Sequence, residues 1–118
     1  MVEQVASEDK VCPLSRLMTV LAGPWTLYLI WVLSQQGATR FGVLKQEISG
    51  ISTKMLTERL RMLEREGIVQ RHYQATIPPQ VSYELTAKGT ELIAILGDLY
   101  SLAERWYGQS SEAARCFA

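Results

Sequence analysis

The chain has 118 residues, 47% of them apolar and 20% charged, and it carries no net charge. Such a balance describes one globular domain and excludes a disordered chain. The longest apolar run, Leu27 to Leu33, falls well short of the roughly 20 residues a membrane span needs. Two cysteines and one histidine leave little from which to build a zinc site, a disulfide framework or a Ser–His–Asp triad.

Neutrality hides an asymmetry. Between Arg40 and Tyr73 there are seven basic and four acidic residues, a net of +3, and the remainder of the chain balances it at −3. A positive middle third is a local electrostatic footprint, and local charge governs docking on phosphates.

Residues 1–11 read as a flexible, polar and acidic arm. They lack the basic and apolar regions of a signal peptide, so a cytoplasmic protein is expected. A first helix opens at Pro13, where a missing N–H costs nothing, and carries Leu14, Leu17, Met18 and Leu21 at helical spacing. Gly23–Pro24 breaks it. A second helix runs from about Trp25 to Gln35, apolar on nearly all sides, and stops at Gly37; Trp25 and Trp31 are expected in the core. Arg40–Phe41 has the makings of a very short strand. Gly42 to Ile48 forms about two helical turns with Val43, Leu44 and Ile48 inward, and "SGIS" then joins helix to helix at a steep angle.

The next helix is capped by Ser52, although Met55 leaves the capping box incomplete. Leu56, Leu60 and Leu63 fall on one side; Lys54, Thr57, Glu58, Arg61 and Arg65 fall on the other, and Gly67 is the C-terminal cap. "IVQRHY" and "VSYEL" are short β-favouring runs joined by "QATIPPQ", whose two prolines make a stiff connection. Thr86 caps a long helix ending near Tyr107. Its apolar stripe is wider than one small domain can cover, so it predicts an interface. Residues 108–118 read as a loose tail.

This order is that of a winged helix-turn-helix, mainly α with a small β-hairpin wing. A helix fits the major groove, and its outward N-terminal residues reach base edges. Here those are Thr53, Lys54, Thr57, Glu58 and Arg61, with Ser52, Arg40 and Arg65 beside them and Arg71, His72 and Gln80 on the wing. Glu58 either accepts from a cytosine amino group or balances Lys54 one turn away. Arg59 projects sideways, towards either an ion pair or a phosphate. An alternative is a winged-helix module that binds another protein and not DNA. No nucleophile, base and orienting group stand together, so no enzyme, cofactor or metal is expected.

Three stretches also resemble one family. "CPLSRLMTVLAGPWTLYLIWVL", "RFGVLKQEISGISTKMLTERLRMLEREGIVQR" and "IPPQVSYELTAKG" are similar to the HxlR-type winged-helix transcriptional regulators, relatives of the MarR group, from about Cys12 to Trp106. Where that family carries Lys, this chain has Pro24. The resemblance implies a homodimer on double-stranded, pseudo-palindromic DNA, with the terminal helices of the 12–107 domain as the interface. Leu14, Leu17, Leu92, Leu96, Leu99, Ala103 and Trp106 are the residues expected there.

Cys12 precedes Pro13, at or near a helix N-terminus whose partial positive charge favours a thiolate. It is either a small cap residue or, as the resemblance implies for an N-terminal cysteine, a sensor of oxidants or electrophiles. A small effector bound between the dimer helices and the DNA-binding domains is a second route to control. Cys116 lies in the tail.

Overall fold

The structure, a computed structural model, describes residues 12–108. The expectations for residues 1–11, for the tail beyond Gly108 and for Cys116 therefore lie outside the described residues. Elements follow the order α1 (Pro13–Leu21), α2 (Thr26–Gln36), β1 (Thr39–Arg40), α3 (Phe41–Glu47), α4 (Thr53–Arg65), β2 (Val69–Gln74), β3 (Gln80–Leu85), α5 (Ala87–Thr90) and α6 (Ile93–Tyr107).

The core gathers around α2. Leu29, Ile30, Val32 and Leu33 are buried there and meet Leu44 and Ile48 from α3 and its cap, and Leu56, Leu60 and Leu63 from α4. Each fully buried leucine contributes about 1.5–3 kcal/mol relative to exposure. Three antiparallel strands close one side, in the order β1-β3-β2. Thr39 faces Tyr83, and the hairpin register runs from Val69↔Leu85 to Gln74↔Gln80. The very short strand expected at Arg40–Phe41 is found one residue earlier. It pairs with β3, while Phe41 already opens α3. Among the described residues no single helix is long and apolar enough to cross a membrane.

Three expectations change. Trp25 is not in the core: it is 37% exposed in the turn before α2, while Trp31 is half-buried and stacks on Tyr100 at a 5.3 Å centroid distance. Val43 points outward, because α3 is short and turns only Leu44 and the cap residue Ile48 into the core. The long C-terminal helix is interrupted. Thr86 caps only the single turn of α5; Glu91 and Leu92 then donate to carbonyls three residues back before α6 resumes. Thr86 is anchored beside the end of α4, whereas α6 must bring Leu92 and Leu96 into the core. The tightened turn re-aims the axis between those two demands.

Candidate nucleic-acid interface

The helix that would enter a groove is α4, and both of its ends are closed. At the start, Ser52 Oγ accepts from the Met55 N–H at 3.0 Å. Gly67 N–H donates to Glu64 O and Ile68 N–H donates to Leu63 O, the paired bonds of a Schellman ending. That ending requires the left-handed backbone of Gly67, at φ 78°. Two side chains from beyond the wing then cover the carbonyls of the C-cap residue and the one after it. Thr86 Oγ1 donates to Gly67 O at 2.5 Å, and Lys88 Nζ donates to Glu66 O at 2.7 Å, a cation where the helix dipole favours one.

With the leucines sealed inward, the opposite face of α4 is free. Thr53, Lys54, Glu58, Arg61 and Arg65 are exposed and Thr57 is half-buried. Lys54 and Glu58 form no ion pair among the described residues, so the balancing role open to Glu58 is not taken up here. Ser52 spends its oxygen on the cap. Arg40, the N-cap of α3, is exposed at the edge of the sheet.

The wing differs in character. His72 Nε2 lies 2.5 Å from Glu84 Oε1, so the histidine has an acid beside it. Arg71 lies over the Tyr73 ring at 5.8 Å, leaving its charge outward. Gln80 pairs with Gln74 where the hairpin opens. The connecting loop holds Thr76, whose hydroxyl donates to Pro78 O, and an Ile77 that is fully exposed.

This arrangement, two helices crossing through a glycine turn beside a β-hairpin, invites comparison with known proteins. The chain matches the family model described as "HxlR-like helix-turn-helix" over residues 20–111. It belongs to the HxlR-like helix-turn-helix family. A helix-turn-helix transcriptional regulator of Synechocystis is 38% identical over 101 residues, spanning 86% of this chain and 74% of that one. A MarR-family regulator of Porphyromonas gingivalis superposes with a TM-score of 0.75 at 34% identity, over 80% of this chain and 92% of the other. The redox regulator HypR, in its oxidised form, does so at 0.74 and 33%, over 80% and 96%. This HxlR-like chain is a transcriptional regulator of the helix-turn-helix type, and its winged fold is that of the MarR-like regulators.

A second surface lies away from α4. Leu14, Leu17 and Met18 of α1 face Ile95 and Leu99 of α6 across an apolar groove of about 400 Å³. Leu92 and Leu96, expected in an interface, are 8% and 6% exposed: they form the floor of the groove and belong to the chain's own core. The exposed apolar rim continues along α6 to Ala103 and Trp106.

Cys12 is the N-cap of α1 and is exposed. Arg16, one turn on, is turned to Glu66 at 3.7 Å. Sequence reasoning missed that pair and the closure of α4 by Thr86 and Lys88. Each depends on residues brought together by the fold, and only the "LTAKG" motif that holds Thr86 and Lys88 offered a signal.

Proposed function

We propose that this regulator acts as a homodimer that binds a pseudo-palindromic operator, inserting one α4 into the major groove at each half-site. The observation that carries the reading is the outer face of α4: Lys54, Arg61 and Arg65 stand exposed on a helix fixed at both ends, with Thr53 and Thr57 where base edges would lie. Arg40 and Arg71 would bind phosphates on either side. The exposed α1–α6 rim supports self-association, since an apolar surface that wide is a liability in a lone protomer. In this reading residues 12–107 form the DNA-binding and dimerisation domain.

Binding to DNA from upstream of its own and neighbouring genes, titrated with salt, tests this. Affinity should fall steeply with added salt, because the counterions that binding releases from the DNA gain less entropy in a saltier solution. Arg61→Ala should cost about 1–3 kcal/mol on the preferred sequence, with the fold unchanged. A shallow salt dependence and an indifferent Arg61→Ala would favour a module that binds protein instead.

The exposure of Cys12 favours a further layer, a thiol switch open to oxidants or quinones, in keeping with the likeness to HypR. Cys12→Ser should bind the operator like the parent but keep that affinity after oxidant treatment. Equal responses from parent and variant would assign Cys12 to the cap alone.

A further inference from the structure

One acid stands in the middle of the basic face of α4. At about 3.6 residues per turn, the side of the helix opposite Leu56, Leu60 and Leu63 falls to Glu58 and Arg65, with Lys54 and Arg61 beside them. Glu58 therefore points squarely away from the core, and it is exposed. Whatever lies against this face meets a carboxylate near its centre.

Three local uses of an acid are not served here. A glutamate in the first turn would favour the helix dipole, but α4 has no acidic residue in its first turn, and Glu58 lies beyond the reach of that effect. The cap is already made by Ser52, whose Oγ accepts from the Met55 N–H. Nor does Glu58 form an ion pair among the described residues, although Lys54 and Arg61 stand one turn before and one turn after it. For Lys54 the order along the chain is the weaker one, since such pairs prefer the acid to come first. The carboxylate thus keeps its acceptor atoms free on the face that a groove would receive.

DNA offers few partners to such a group. Phosphates repel it, and an ionised carboxylate accepts hydrogen bonds but donates none. In the major groove guanine presents N7 and O6 and thymine presents O4, all of them acceptors. Adenine sets an amino donor beside the acceptor N7. Cytosine presents its N4 amino group, a donor, and the guanine paired with it turns N7 and O6 towards any nearby cation.

We propose that Glu58 is a specificity-determining residue: it accepts from the N4 amino group of one cytosine in each half-site, with a flanking cation of α4 on the guanine of the same pair. This rests on the DNA-binding reading above. The same carboxylate also excludes. A site with no amino donor at that position would leave it desolvated and unpaired, so wrong sequences are rejected as well as the right one accepted.

The test uses the full chain and a pool of duplexes with randomised half-sites, selected in parallel by the parent, Glu58→Gln and Glu58→Ala. Affinity is then measured for the selected duplex with each of the four base pairs at each position. Both substitutions put good helix formers on an exposed face, and circular dichroism checks the fold. The parent should demand C·G at one position per half-site and lose roughly tenfold for any other pair there. Glu58→Gln should abolish that demand or turn it towards adenine, which a glutamine amide reads, and should leave every other position as in the parent. Glu58→Ala should abolish it and gain no new preference. Both variants should bind unselected DNA at least as tightly as the parent, because a negative charge has left the interface. A parent with no such C·G position, or variants that keep it, would overturn the proposal. So would a gain in affinity that is equal for every sequence, which would make Glu58 a general repeller of phosphate and not a reader. A parent that enriches no sequence at all sinks the DNA-binding reading, and this proposal with it.

Discussion

In α4, Leu56, Leu60 and Leu63 turn inward and are sealed by α2 and the sheet, and the charged residues face out. In α1 the relation is reversed: Leu14 and Met18 are 62% and 59% exposed, and no residue of the helix is buried. Both helices have apolar residues at the same spacing. That spacing tells that a helix has an apolar face; it does not tell what covers it. The chain itself covers α4, and α1 is left with one rim of a groove. A face closed from within fixes a fold, whereas a face left open calls for a second molecule.

Three substitutions break or sharpen this contrast. The largest effect is expected at Leu60, which is 1% exposed. Leu60→Ala should lower the unfolding free energy by about 2–5 kcal/mol, measured in urea. Leu14→Asp comes next. It should weaken self-association by at least the roughly 1.5–3 kcal/mol of burying a leucine, seen by sedimentation, while the helical circular dichroism survives. Were Leu14→Asp to unfold the chain as Leu60→Ala does, the two faces would not differ in kind. Smallest is Ser52→Ala, which removes the cap of α4 and should cost about 1 kcal/mol in a thermal melt.

Much of this was legible in the sequence. The inward leucines, Ser52 as cap and Gly67 as terminator follow from local rules, because each depends on residues within a turn or two. The wing was legible too, as two β-favouring runs around a proline pair. What escaped reading was non-local. Nothing near Thr39 announces its pairing with Tyr83, and nothing near Arg16 announces Glu66. Trp25 misled because its bulk argues for the core, whereas Pro24 before it sets up a turn that carries it outward. The candidate contacts on α4 were visible as a helical face. The wing contacts were less so, since Glu84 stands beside His72 only through strand pairing.

The closure of α4 by Thr86 and Lys88 bears on modularity. A chain cut after Leu85 would keep the helix-turn-helix and the whole wing, yet it would lose the two side-chain donors that meet Glu66 O and Gly67 O just past α4. The helix-turn-helix with its wing is therefore not a part that can be lifted out without loss. Whatever is fused to it or exchanged must carry the start of the C-terminal helical region along, and a chimaera joined before Thr86 keeps the Schellman ending of α4 but loses the two side-chain bonds that back it.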